Sequence, residues 1–320
     1  MKPLRTMPYL SLLLAAIISN NAYAQTYPSQ TVRIVVPFNA GSITDGFARI
    51  LSAKLKDIWR QDVLVENRPG YPGTASVAKA APDGYTLLLT SNGHTIANAN
   101  NKSPSFDPVK DFTGVTKIAT VPQVLIVPIT SPVTTVQQFI DLAKAKPGAL
   151  NFATAGVASQ AYLAAQIFIT AAGISLNHVP YRGGAEATTA TIRGDSDFTL
   201  TTVQVAKDFA ETNKARIVAV GTPERLKELP NVPTIVESGL PTFKFESWFG
   251  LMVPANTPAP IVAKINRDVA AVLEMADVRK IFSDYSTIPA ASTSDEFNAV
   301  IAADTERYTK IVRDANPTSN

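Results

Sequence analysis

The strongest constraint on this chain is an apolar, β-branched run that passes directly into a glycine-containing turn and then into an amphipathic helix. The chain makes this passage twice. Val32-Arg33-Ile34-Val35-Val36 has the composition of a buried strand. Pro37 to Asp45 forms the turn, and Phe47, Ile50, Leu51, Leu55 and Ile58 then recur at helical spacing as far as Trp59. Ser42 and Thr44 both suit the N-cap of that helix. A strand–turn–helix passage leaves the first N–H groups of the helix unpaired at the edge of a sheet, where an anion can bind. The same passage is also an ordinary βα turn in any α/β protein, and spacing alone leaves both readings open. Asn151-Phe152-Ala153, the small-residue turn Thr154 to Gln160, and a helix carrying Tyr162, Leu163, Ile167 and Ile169 repeat the pattern. Two such cradles, each heading its own α/β unit, imply two lobes facing one ligand.

Between the cradles, Asp62 to Glu66 and Tyr85 to Thr90 read as strands. The turn formers of Asn67 to Gly73 and a short Ala-rich helix over Thr74 to Ala81 separate them. Successive βαβ units argue a parallel sheet with ligand loops at the carboxyl ends of its strands. Ser91-Asn92-Gly93-His94-Thr95 is one such loop. The proline-bearing segment Ser103 to Asp111 then leads to an apolar strand, Gln123 to Pro128. A capping box at Thr134 to Gln137 opens the next helix. Val179 to Gly184 leads into a helix over Ala185 to Arg193, and Asp197 to Thr202 and Lys214 to Gly221 are further strands. Phe245 to Pro254 has the same character as Leu125 to Pro128, and the two are read as crossings between lobes, near 120–128 and 245–254. The division is then 25–123 with 251–320 for the first lobe and 124–250 for the second. The terminal helix, capped at Thr293 to Glu296, is expected to pack back on the first lobe.

Residues 1–24 read as a signal peptide: Lys2 and Arg5, an apolar run over Leu10 to Ile18, and the small-x-small site Ala22-Tyr23-Ala24 before Gln25. The formal charge is +3, two of those positive charges lie in the leader, and nothing in the balance suggests nucleic acid. The chain has no cysteine, which excludes disulfides, thiolate metal sites, a lipid-modified N-terminus and a cysteine nucleophile. An exported, soluble, disulfide-free protein fits the periplasm.

No catalytic motif is present. His94 and His178 are the only histidines, and neither has a partner at metal-ligand spacing. His94 belongs to a loop at a strand's carboxyl end and is read as a candidate ligand contact. His178, inside a strand, is read as structural. Asp45 complements the helix dipole or ties down its loop through Arg49 at i,i+4. The candidate cleft therefore holds hydroxyls, amides, backbone N–H groups and aromatics: Phe38, Asn39, Ser42, Ser91, Asn92, Thr154, Ser159, Thr201, Thr202 and Trp248. Such a set suits a small carboxylate bound without enzymatic chemistry. No cofactor or metal is expected.

The chain resembles the Bug (TctC-like) family, the extracytoplasmic solute receptors of tripartite tricarboxylate transporters. The resemblance runs through Val35-Val36-Pro37-Phe38 with Asp45 and Ala48-Arg49, Val65 to Gly70, Pro82 to Leu88, His178 to Gly184, Leu229 to Thr234 with Glu237-Ser238-Gly239, and Ser247 to Leu251. It implies an α/β, two-lobed periplasmic-binding-protein (Venus flytrap) fold, each lobe a mixed, mostly parallel sheet flanked by helices. It maps ligand contacts to Phe38 through Thr44, to Ser91 through Thr95, and to Thr154 through Ser159, including Ala158. It implies a monomer that delivers its ligand to membrane permease subunits. A sensor kinase as recipient is the alternative partner, and an exported hydrolase the alternative class. Two departures bear on the ligand. Ala40-Gly41-Ser42 replaces the family's usual Pro-Gly-Gly, which adds a hydroxyl. Leu200-Thr201-Thr202 lacks the Asp found in members that take acidic amino acids, which favours a mono- or dicarboxylate with a neutral body. Terephthalate is a candidate among the aromatic dicarboxylates.

Overall fold

The β-branched and leucine-rich runs of the first third assemble into one sheet. In the computed structural model, which describes residues 27–315 apart from positions 100, 102, 158, 244 and 285, the order is β1 (Val32–Val36), α1 (Ile43–Trp59), β2 (Val63–Asn67), α2 (Tyr71–Ala78) and β3 (Thr86–Ser91). A 3-10 turn over Asn92–Ile96 and the strand β4 (Phe112–Thr120) follow. The leader over 1–24 lies outside the described residues. The second sheet begins with β5 (Gln123–Pro128) and continues through α3 (Val136–Ala145), β6 (Asn151–Thr154), α4 (Gln160–Ala172), β7 (Asn177–Pro180), α5 (Gly184–Arg193), β8 (Thr199–Thr202), α6 (Val203–Glu211) and β9 (Ala215–Val220). The chain returns through β10 (Trp248–Pro254), α7 (Ala259–Leu273), α8 (Ala276–Asp284), β11 (Ile288–Pro289) and α9 (Ser294–Ala315).

The first sheet is six-stranded in the order β11-β4-β10-β3-β1-β2. β1 pairs in parallel with β2 and β3, while β10 runs antiparallel between β3 and β4. The four strands β1 to β4 thus share one direction, and the returning strand is inserted against them. The second sheet repeats this plan. β5 lies antiparallel between β8 and β9, β6 pairs in parallel with β7, and a parallel bridge from Phe152 to Phe198 joins β6 to the start of β8. In each sheet the strand entering from the other sheet runs against its neighbours, and in the first sheet the short edge strand β11 also lies antiparallel to β4.

Three sequence expectations change. β4 was missed because Phe112 to Thr120 mixes Gly114, Lys117 and three threonines, although most of it is buried. The helix expected at Thr74 begins at Tyr71, since Pro72 needs no N–H donor at a helix start. Gly73 makes this entry possible: a Cβ there would lie 1.9 Å from the Arg68 carbonyl oxygen. The terminal helix α9 does not pack on the first sheet alone. Phe297 and Ile301 pack with Trp248 and Met252, whereas Tyr308 and Val312 join the core of the second sheet beside Leu163 and Phe168. Its amphipathic face is long enough to serve both cores.

Candidate functional site

Ser42 is the N-cap of α1, its Oγ accepting the Asp45 N–H at 3.2 Å, and Thr44 is buried in the first turn. The turn ahead of it is held by the Asp45 carboxylate. One oxygen accepts from Gly41 N and from Arg49 Nε, both at 2.9 Å, and the other accepts from Asn67 Nδ2 at 3.0 Å. Asn67 Nδ2 also donates to the Phe38 carbonyl at 3.2 Å, and the Phe38 ring packs half-buried on the first core. Burial alone would raise the Asp45 carboxyl, but the Arg49 and Asn67 side chains and the Gly41 N–H together hold it below the usual carboxylate range. Asp45 therefore ties down the loop, as its i,i+4 spacing to Arg49 implied. Ser42 uses a lone pair in its cap and keeps its hydroxyl proton for another acceptor.

The second cradle is wired in the same manner. Ser159 caps α4, accepting from Tyr162 N at 3.2 Å and donating to the Gly156 carbonyl at 2.7 Å. Gly156, at φ 93°, lies in the left-handed region that favours glycine. Its N–H donates to Thr154 Oγ1 at 3.1 Å, and Thr154 Oγ1 lies 2.7 Å from His178 Nε2. Ala158 lies outside the described residues. The hydroxyls of Thr154 and Ser159, read from sequence as ligand donors, are thus engaged in shaping the loop. The loop leaves the side chain of Val157 exposed.

One hydrogen bond across the gap brings the two cradles together, and a second, within the second sheet, carries the link on to Thr154. Asn39 Nδ2 donates to the Arg182 carbonyl at 3.0 Å, and Tyr181 N donates to the Thr154 carbonyl at 2.8 Å. The first loop therefore reaches the second through residues 181–182. Nearer the crossing strands, Gln160 Nε2 donates to the Trp248 carbonyl at 2.8 Å, and its Oε1 accepts from Ser247 Oγ at 2.9 Å. Gln160 was missed as a site residue in the sequence; the available signal was a polar amide directly after the Ser159 cap. Ser91 pairs opposite Phe249, and Asn92 Nδ2 donates to the Glu246 carbonyl at 3.0 Å, so the end of β3 lies against the same crossing. Ser91 Oγ and Asn92 Oδ1 are buried with no hydrogen-bond partner among the described residues. Thr201 Oγ1 accepts from Thr188 Oγ1 at 3.1 Å, and Thr202 precedes α6 without using its hydroxyl as a cap. Arg182 turns its guanidinium to solvent and pairs with Glu186.

Two expected contacts are corrected. His94 is a core residue: its ring stacks on Phe106 and meets Phe112 edge-on, and Nε2 lies 2.8 Å from the Pro108 carbonyl. A carbonyl only accepts, so Nε2 carries the proton; burial pushes the ring's pKa down to about 4. Trp248 is fully buried, with its ring edge-on to Phe297 and its Nε1 donating to Asp304 Oδ2 at 2.8 Å. Its backbone carbonyl, not its indole, meets the second cradle through Gln160. Among the described residues no group of His, Cys, Asp or Glu could hold a metal ion, and no helix is long and apolar enough to cross a membrane.

Two α/β sheets joined by reciprocal crossing strands, with a capped helix start from each at the gap between them, define a two-lobed periplasmic binding protein. The profile of the tripartite tricarboxylate transporter family receptor, TctC, matches residues 47–316, and the chain belongs to that family. It is 31% identical to protein BugT of Bordetella pertussis over 296 residues, covering 91% of each chain. Among solved structures it is similar to R. palustris Rpa4515 with adipate (TM-score 0.81, 30% identity, 90% of this chain and 98% of that one). It is similar to MatC of Rhodopseudomonas palustris with bound malate at the same TM-score and identity, over 89% of this chain and 100% of that one.

Proposed function

We propose that the protein is a periplasmic receptor that closes its two lobes on a small carboxylate and presents it to the permease of a tripartite tricarboxylate transporter. The observation that carries this reading is the pairing of two capped helix starts across one gap, linked by the Asn39 and Tyr181 hydrogen bonds, with the nearby guanidinium of Arg182 committed to Glu186. Backbone N–H groups and neutral hydroxyls suit a carboxylate, and both helix dipoles favour it. A ligand touching both cradles stabilises the closed arrangement because only there does it meet both. The lobes are taken as 25–123 with 251–320 and 124–250, and α9 spans the two cores. Export with cleavage before Gln25 belongs to the same reading.

Adipate and malate, named with the two structural neighbours, support an aliphatic carboxylate. The absence of a carboxylate at Leu200-Thr201-Thr202 argues against an ammonium-bearing ligand. Terephthalate rests on the added Ser42 hydroxyl and on Phe38, since the Trp248 side chain is fully buried. A thermal-shift series with adipate, malate, terephthalate, aspartate and glutamate tests the reading, because a ligand that binds only the native state raises its melting temperature. A rise with at least one of the three non-amino dicarboxylates is expected. No rise with any of them, or a rise with aspartate and glutamate alone, would refute it.

A further inference from the structure

His178 has no role in the candidate site as described so far, yet it touches the one hydroxyl on which the second cradle turns. Thr154 Oγ1 accepts the Gly156 N–H at 3.1 Å and must place its own proton elsewhere. Two acceptors are in range. The Gly156 carbonyl is 3.4 Å away and already accepts from Ser159 Oγ at 2.7 Å and Ser159 N at 3.1 Å. His178 Nε2 is 2.7 Å away, the distance of a good hydrogen bond. We propose that His178 is a positioning residue for the second cradle: its unprotonated Nε2 accepts a hydrogen bond from the Thr154 hydroxyl and so leaves Thr154 Oγ1 to accept the Gly156 N–H that fixes the loop.

The fold holds the imidazole in place for this. His178 is paired opposite Phe152 in the β6–β7 ladder, with ring centroids 5.0 Å apart, and Tyr162 of α4 lies 4.8 Å from it on centroids. Strand β7, strand β6 and helix α4 therefore all define where Nε2 lies. Desolvation depresses the ring's pKa to about 4, so the neutral form that can accept a hydrogen bond persists at neutral pH. The link to ligand binding rests on the carboxylate-receptor reading, since Gly156 and Ser159 shape the loop that heads α4. The link to loop geometry does not.

The test is made on ligand-free protein, which keeps it decisive if the carboxylate reading fails. Nitrogen-detected imidazole NMR should show His178 with Nδ1 protonated and Nε2 bare at neutral pH; a protonated Nε2 would overturn the proposal. Amide exchange at Gly156 should be about three- to tenfold faster in His178→Phe, which keeps the ring stacking and removes the acceptor. His178→Gln, which carries an acceptor at the ε position, should restore protection. In a Thr154→Val background His178→Phe should add nothing at Gly156, because the hydroxyl that donated to His178 is gone. Unchanged Gly156 exchange in His178→Phe, or an undiminished effect in Thr154→Val, would refute it. Should His178→Phe not fold, the imidazole NMR on the wild type still decides.

Discussion

Asn39 follows a strand of the first sheet and Arg182 a strand of the second, and the hydrogen bond from Asn39 Nδ2 to the Arg182 carbonyl, 3.0 Å long, joins the loop of the first cradle to the turn after β7, the strand beside the second cradle. Tyr181 next to it is bound to Thr154, so the contact runs from Asn39 to Thr154 through Arg182 and Tyr181. Both partners are exposed, which keeps the net strength of the bond modest. Under the proposed closure of the lobes, this bond would act as a latch of the closed form more than as a ligand contact.

Replacing Asn39 with Ala should therefore weaken binding of the best carboxylate about two- to tenfold, through faster release rather than slower capture. Stopped-flow fluorescence separates the two rates. A loss confined to the association rate would mean that Asn39 meets the ligand during entry and is not a latch.

Trp248→Phe should lower stability by about 1–3 kcal/mol, because Asp304 loses the indole donor at a site where burial already raises its pKa. Carboxylate affinity should remain within about twofold, since the lost group is a core hydrogen bond away from the cradles. Urea denaturation and calorimetry on the same variant check both halves. A large loss of affinity at unchanged stability would return Trp248 to the cleft.

Much of this architecture was legible in the chain because local rules agreed with the fold. The two strand–turn–helix passages, the Ser42 cap and the Asp45–Arg49 tie all follow from spacing and propensity. What escaped depended on partners remote in sequence. His94 looks like a loop residue until Pro108, Phe106 and Phe112 close over it. Trp248 looks like a cleft aromatic until Asp304 and Phe297, from the terminal helix α9, are placed against it. The hydroxyls of Thr154 and Ser159 were recognised as part of a cradle, but whether they face inward to the loop or outward to a ligand depends on Gly156 and His178. Pattern places such residues at a site and leaves their hydrogen bonds undetermined.

Gln160→Leu keeps the side chain's approximate volume and removes both of its polar contacts. The Trp248 carbonyl and the Ser247 hydroxyl would then be left without this partner in a buried setting. A destabilisation of about 1–3 kcal/mol is expected, seen as a lower urea midpoint with unchanged slope. Gln160→Glu should be worse than Gln160→Leu at neutral pH, because a carboxylate would face the Trp248 carbonyl oxygen. The reverse order would show that the amide nitrogen is not the group that matters.

Asp45 supplies a pH signature of the first cradle. Its carboxylate accepts three hydrogen bonds, from Gly41, Arg49 and Asn67, and its folded pKa lies below the ordinary carboxylate value. A carboxyl whose folded pKa is depressed contributes stability that is fully present above its unfolded pKa, about 4, and is lost as pH falls through the lower folded value. Asp45→Asn removes the charge and turns an amide toward Arg49, so it should cost about 2 kcal/mol at pH 7. The gap between wild type and Asp45→Asn should narrow steadily below pH of about 4, as the wild-type carboxylate takes up a proton and the comparison approaches one between two neutral side chains. Urea melts of both proteins at neutral pH and at a series of acid values measure that gap directly. A gap that stays constant into acid would show that the Asp45 charge does not hold the loop, and that only the shape of the side chain does.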